Sequence, residues 1–186
     1  MSSRFDIQAT RLTGLKVVVR KPLGDGRGYL ERMFCVDELH DVLGGRQIVQ
    51  INHTLTQSKG AVRGMHFQYA PHSEMKVVSC LRGSVFDVAV DLRKDSPTFL
   101  HWHAELLSAD NHKTLAIPEG FAHGFQTLTD DCEMLYMHTA AYAPGSEAGL
   151  NPQDAKLAIT WPLPIAAISP RDASHAPIAD AFEGIV

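Results

Sequence analysis

The chain has 186 residues, 45% hydrophobic and 20% charged, with a formal net charge of −4 and a pI near 6.2. That length suits one domain, 1–186, with its own core, and the charge offers no basic stripe for nucleic acid. No apolar run approaches a membrane span, Met1 to Arg20 lack a basic-then-apolar leader, and Cys35, Cys80 and Cys132 are too few and too scattered for a disulfide framework or a thiolate metal set, so a cytoplasmic protein is expected.

The elements expected in chain order are mostly short strands. Gly14 to Arg20 is Val-rich and reads as the first, followed by a turn at Gly24-Asp25-Gly26-Arg27-Gly28. Val36, Leu39, Val42 and Leu43 have helical spacing, and Gly44-Gly45 supplies a C-cap, which predicts a helix over 36–43. From Gln47 the pattern is β: 47–56, then 76–81 turning at Arg82-Gly83 into 85–91, then 99–107, 113–117, 125–128 and 133–141. Turns recurring about every ten residues are the mark of a sandwich or barrel. The Pro- and Ala-rich tail after Trp161 is expected to wrap the strands, with a short helix near 178–182.

Ten histidines are many for this length. Three lie in short motifs, Arg63-Gly64-Met65-His66-Phe67-Gln68, Pro118-Glu119-Gly120-Phe121-Ala122-His123-Gly124-Phe125 and Gln50-Ile51-Asn52-His53. Strand alternation would turn His66 and Gln68 inward, with Met65 and Phe67 on the other face. An inward His near neutral pH suits general-base work, and Arg63 at the strand start suits a phosphate. Taken singly, each has a plainer reading: a hydrogen-bonding strand His, a capped turn at His123, core filler at Tyr136, a solvated Lys76. The residues alone stop at a β-barrel with a His-rich mouth.

Together the segments resemble the dTDP-4-dehydrorhamnose 3,5-epimerase family from about Gly14 to Pro177. The most specific stretches are Val62 to Gln68, Gly83 to Arg93, Ser96-Pro97-Thr98-Phe99 and Ile117 to Phe125, flanked by Asp25-Gly26-Arg27-Gly28 and Ser169-Pro170-Arg171-Asp172. The resemblance implies an all-β, jelly-roll, cupin-like barrel with a few short peripheral helices. It also implies a homodimer and an epimerase of a nucleoside-diphosphate 4-keto-6-deoxyhexose that needs no cofactor or metal. It makes His66 the base, Asp172 its orienting carboxylate, Tyr136 the opposite-face acid and Lys76 the stabiliser of the enolate oxygen. His123, Gln50, Asn52, Arg63 and Arg27 become substrate-binding residues, with Arg27 reaching across the dimer. Four positions depart from the family pattern: Arg32, Ile51, Met137 and Ala141. Arg32 and Ala141 bear on nucleotide recognition and keep a CDP-, GDP- or UDP-linked sugar as an alternative, and inversion of one carbon only stays open because that outcome depends on pocket shape rather than on the presence of His66 and Tyr136.

Two rival readings share these residues. A metal-dependent cupin enzyme would use His66, Glu74 and His123, or the His101-Trp102-His103 pair, but the ligand order is incomplete. A non-catalytic sugar-nucleotide binder would have no use for an acid and a base on opposite faces.

Overall fold

The computed structural model describes residues 3–185. Its strands are β1 (Phe5–Ala9), β2 (Lys16–Arg20), β3 (Leu23–Asp25), β4 (Gly28–Leu30), β5 (Gln50–Thr56), β6 (Ala61–Gln68), β7 (Lys76–Arg82), β8 (Ser84–Asp91), β9 (Trp102–Ser108), β10 (Lys113–Ile117), β11 (Phe121–Thr127), β12 (Cys132–His138), β13 (Glu147–Gly149) and β14 (Ala167–Ile168). Two four-residue helices, α1 (His40–Leu43) and α2 (Pro170–Ala173), lie outside them. The first sheet runs β1-β2-β10-β7-β12-β5, and the second β13-β6-β11-β8-β9 with β14 beside β6. The sheets face each other as an open jelly roll; among the described residues no ladder joins one to the other.

Alternation along the strands divides the apolar residues into three layers. Val17, Val78, Cys80, Val85, Ala89, Leu115, Phe121, Phe125 and Met134 fill the space between the sheets. Phe5, Val18, Val77, Ala116 and Met137 point the other way from the first sheet and are covered by Leu39, Val42 and Leu43 of the α1 region. Met65, Phe67, Val88 and Val90 lie on the outer face of the second sheet, under Leu150, Leu157, Ile178 and Ile185 of the tail. The tail is pinned there by polar bonds too: Trp102 Nε1 donates to Leu157 O at 3.0 Å and Gln126 Nε2 to Leu163 O at 2.9 Å. The wrapping tail therefore completes the core, and it also carries Asp172 beneath β6.

Both predicted helices need correction. The first is confined to His40–Leu43, because Val36 is 53% exposed and the Glu38 carboxylate is engaged by the Arg4 N–H at 2.6 Å rather than capping a longer helix. No helix forms over 178–182; the Ile178 N–H is held by Asp154 Oδ2 at 2.7 Å just after Pro177, and the helix lies earlier, at Pro170–Ala173. The strand expected from Phe99 begins at Trp102, because Leu100 takes a φ of +60° in the preceding turn. That expected from Phe125 begins at Phe121.

Gly64 is required by close approach. Its φ is +125°, and a Cβ there would lie 2.5 Å from Gly124 Cα and 2.8 Å from His123 O. The β6–β11 ladder shifts register between His123 and Phe125, opposite this contact.

The Asp91 to Thr98 stretch, among the most family-like in the sequence, works structurally. The fully buried Asp91 carboxylate accepts from Arg93 Nε and Nη2 at 2.9 and 2.7 Å and from the hydroxyls of Ser96 and Thr98 at 2.6 Å each. Burial would raise its pKa, but these donors outweigh it and bring it down to about 2. A carboxylate depressed on folding stabilises above its unfolded value, near 3.8, and loses that contribution as pH falls through about 2. Asp91→Asn is expected to cost about 2–3 kcal/mol at pH 7, or roughly 5–10 °C in Tm, with the difference from the parent shrinking toward pH 2. Calorimetric melts across that range check this, and equal Tm values at pH 7 would refute it.

Candidate active site

One end of the space between the sheets is packed by core, and the other opens as a cavity of about 750 Å³. The first sheet lines it with Gln50, Asn52 and Thr54 from β5, Lys76 from β7, and Tyr136 and His138 from β12. The second sheet supplies Arg63 and His66 from β6 and His123 and Phe125 from β11. His66 and His123 are register partners across the β6–β11 ladder, so both point inward at one level. Tyr136 is cross-strand from Asn52 and Val78 on the opposite wall.

His66 is built as a base. Its Nε2 lies 2.8 Å from Asp172 Oδ1, and the other Asp172 oxygen accepts the Gly64 N–H at 3.2 Å. The Asp172 backbone is fixed in turn, because Ser169 Oγ caps α2 by accepting the Asp172 N–H at 3.0 Å. An ionised carboxylate only accepts, so Nε2 carries the hydrogen and Nδ1 is the nitrogen left to take a proton. Arg171 Nη2 comes within 2.9 Å of Nε2, but its guanidinium is balanced by Glu147 at 3.1 Å and by Asp172 at 3.4 Å. Burial pushes the His66 pKa down from its ordinary value, the Asp172 bond and charge push back only in part, and the cations of Arg171 and Lys76 add to the fall. The ring is therefore neutral at pH 7. Burial would raise Asp172, but the His66 bond and charge together with the Gly64 and Ser169 bonds outweigh it, and the carboxyl stays below its usual range.

Tyr136 is built as an acid. Burial first, and the negative charge of Asp87 second, push its hydroxyl pKa well up, so the phenol keeps its proton. Its ring stands edge-on to His123 at 6.0 Å and stacked with His138 at 6.1 Å. His123 is itself paired, its Nε2 lying 2.9 Å from Asp87 Oδ2, with both side chains buried. Lys76 Nζ donates to His66 O at 3.2 Å and pairs with Glu74 at the same distance. Arg63 is held by Thr56 Oγ1, which accepts from its Nε at 2.9 Å, and is exposed at the mouth.

Of the nine candidate residues, the structure brings eight to this cavity: His66, Tyr136, Asp172, Lys76, Gln50, Asn52, Arg63 and His123. Arg27 is not among them. It stands at the tip of the β3–β4 hairpin with a 90% exposed side chain, paired with its neighbour Asp25 at 2.6 Å. Gln68, expected inward, instead ties β6 to the next loop through His72 O at 3.0 Å and to the β12–β13 connection through the Ala143 N–H at 2.7 Å. The departures lie outside the proton chemistry: Met137 faces the α1 layer, Ile51 is 62% exposed, Arg32 pairs with Glu38, and Ala141 offers only its carbonyl to Gln68.

The candidate set from sequence omits Asp87, His138, Arg171 and Glu147 and gives Glu74 only a metal role. Period-two alternation signals two of these, since His138 shares a face with Tyr136, and Asp87 falls between the inward Val85 and Ala89. Nothing local signals Arg171 or Glu147. His66, His123 and Glu74 are each bound into a separate pair, and among the described residues no three His, Cys, Asp or Glu side chains converge as a metal set. His101 and His103 line a different depression, beside Arg11 and Lys156.

Comparison with known proteins points to one family. The family model described as dTDP-4-dehydrorhamnose 3,5-epimerase matches residues 9–180. The chain is 38% identical over 178 residues to the dTDP-4-dehydrorhamnose 3,5-epimerase of Shigella flexneri, covering 95% of this chain and 98% of that one. Among solved structures, it is similar to the dTDP-6-deoxy-D-glucose-3,5-epimerase of Legionella pneumophila in complex with dTDP-4-keto-L-rhamnose. That match has a TM-score of 0.87 and 40% identity over 92% of this chain and 91% of that one. It is also similar to the dTDP-4-dehydrorhamnose 3,5-epimerase of Bacillus anthracis with TDP and PPi bound, with a TM-score of 0.90 and 34% identity over 94% of this chain and 99% of that one.

Proposed function

Because the chain belongs to the dTDP-4-dehydrorhamnose 3,5-epimerase family, we propose that its cavity inverts carbons 3 and 5 of dTDP-4-dehydro-6-deoxy-glucose by moving protons between its two walls. The protein is an isomerase. The observation that carries the assignment of roles is the placement of a carboxylate-held imidazole, His66, and a high-pKa phenol, Tyr136, on facing sheets.

The substrate ketone at carbon 4 acidifies the protons on both neighbouring carbons. In the gluco chair those two protons are axial on the same ring face, so one base can reach either. His66 Nδ1 takes the proton, and Asp172 stabilises the imidazolium that forms. The electron pair moves into the enolate, whose oxygen meets the Lys76 ammonium. Tyr136 returns a proton from the other face, and the centre is inverted. No cofactor is called for, since the ketone itself takes the electron pair. His123, Gln50, Asn52 and Arg63 hold the substrate, and the Arg63 and Arg171 cations at the mouth suit its diphosphate.

A homodimer fits the surface. β5 is an edge strand with Ile51 and Leu55 exposed and Val49 exposed just before it, and the hairpin bearing Arg27 exposes Leu23, Tyr29 and Leu30. A second copy covering these residues would bring Arg27 to its neighbour's cavity, the role this chain's own cavity does not give it. Among the described residues no helix is long and apolar enough to cross a membrane, and a cytoplasmic setting accords with a nucleotide-sugar substrate.

Proton NMR in deuterated water with dTDP-4-keto-6-deoxyglucose tests the reading. Loss of signal at carbons 3 and 5 with change of configuration supports it. Loss at carbon 3 alone makes the protein a single-centre epimerase, and no exchange moves the substrate to CDP-, GDP- or UDP-linked ketosugars.

A further inference from the structure

Two residues beyond Tyr136, His138 points into the same cavity and makes bonds that the proton transfers above do not use. Its Nδ1 lies 2.7 Å from Glu74 Oε2 and its Nε2 3.4 Å from Asn52 Nδ2. The other Glu74 oxygen is 3.2 Å from Lys76 Nζ. All three ionisable side chains are at least nine-tenths buried, with 8% exposure for Glu74 and 10% each for His138 and Lys76. A buried carboxylate held between two such donors stays ionised, and the direction of its pKa agrees: burial would raise it, but the His138 bond and the Lys76 charge outweigh burial and hold it below the usual range.

The donor directions follow from that anion. Facing an acceptor-only carboxylate, His138 Nδ1 carries the hydrogen, and Nε2, which faces the Asn52 Nδ2 donor, accepts. Asn52 must then present its Nδ2–H to His138 and turn its Oδ1 away, where it accepts from Gln50 Nε2 at 3.3 Å. Gln50 Oε1 in turn accepts the Tyr142 N–H at 2.9 Å. One directed chain of hydrogen bonds runs from the mouth at Tyr142, through both amides of β5 and His138, to Glu74. There it meets Lys76, which also donates to the carbonyl of His66. Each Asn or Gln alone can face either way; the chain gives each one direction.

We propose that His138, anchored by Glu74, is a positioning and specificity residue: it sets which edge of Gln50 and Asn52 is offered to the nucleotide part of the substrate, while the Glu74 end holds the Lys76 ammonium at the ketone. The inference rests on the cavity being the nucleotide-sugar site proposed above. It divides the effects of two neighbouring side chains. Loss of the imidazole frees the amides and is felt in binding. Loss of the carboxylate charge unfixes Lys76 and is felt in turnover.

The test compares the parent chain with His138→Phe, which keeps a flat ring against Tyr136, and Glu74→Gln. Steady-state kinetics are run on the ketosugar nucleotide and calorimetric titration on free dTDP. His138→Phe is expected to raise KM and the dTDP Kd about 10-fold with a fall in kcat below about 3-fold, as loss of one or two hydrogen bonds predicts. Glu74→Gln is expected to lower kcat by about 10-fold or more with a smaller change in dTDP Kd. Should His138→Phe not fold, His138→Gln reads the same split. A dTDP Kd unmoved in the His138 variant, or a fall in kcat alone in both variants, overturns the inference. Failure of the parent chain to bind dTDP or turn over the sugar is a different result and overturns the underlying reading instead.

Discussion

His66→Ala is expected to abolish proton exchange at both carbons, lowering turnover on the order of 10³-fold, while dTDP affinity stays close to that of the parent. The size of the effect follows from the site. His66 holds its carboxylate on Nε2 and keeps a 27% exposed ring on the wall facing Tyr136, whereas His123, paired the same way with Asp87, is only 5% exposed and packs edge-on against the Tyr136 ring, and His138 is bound to Glu74. The same geometry sets the pH dependence. With its folded pKa below the ordinary histidine value, His66 is neutral at pH 7, so kcat/KM should hold steady there and fall only as the pH drops below roughly 6.5. Stopped NMR time courses in deuterated water measure both quantities. Retained exchange in the alanine variant would remove His66 as the base. An acid limb well above neutrality would contradict its burial.

The second large effect is a separation of two events. In Tyr136→Phe the base wall is intact, so His66 can still take a proton and, after trading it for deuterium with solvent, return it to the face it came from. Signal at the exchanging carbon should be lost with configuration kept, while net inversion falls on the order of 10²-fold. The phenylalanine ring preserves the contacts with His123 and His138, so folding is not the quantity being read. The coupling constants of the deuterated sugar distinguish retention from inversion. Equal loss of exchange and inversion, with dTDP binding intact, would sink the placement of acid and base on opposite faces.

Much of this was legible in the sequence because strands alternate. Period two sends His66 inward and Met65 and Phe67 to the outer layer, though it misplaces Gln68 at the strand end, and the turns at Gly26-Arg27 and Arg82-Gly83 are marked by their glycines. The helices were misread where tertiary bonds overrode local spacing: Glu38 and Asp154 spend their carboxylates on backbone N–H groups of other segments, which no local pattern reveals. Candidate residues came largely from the family resemblance. It supplied Asp172, which lies 106 positions from its partner His66 in the chain, but it did not supply His138 or Glu74. The Asp91 to Thr98 stretch shows the converse: a segment among those that carry the family resemblance is an ion-paired turn away from the cavity.

Among the described residues, the sheets of His66 and Tyr136 share no ladder, so the ladders do not set the gap between them. The gap is set by side-chain volume at the closed end, where Phe125 touches both the core and the cavity and Val78 lies beside Tyr136 in register. The two walls behave as the jaws of a gauge, with the packed end as its adjusting screw. If these side chains are the base and the acid, stereochemical outcome is a matter of clearance. A change of a methylene or two in the core can then shift which carbon sits between the jaws while every proton-handling group stays in place.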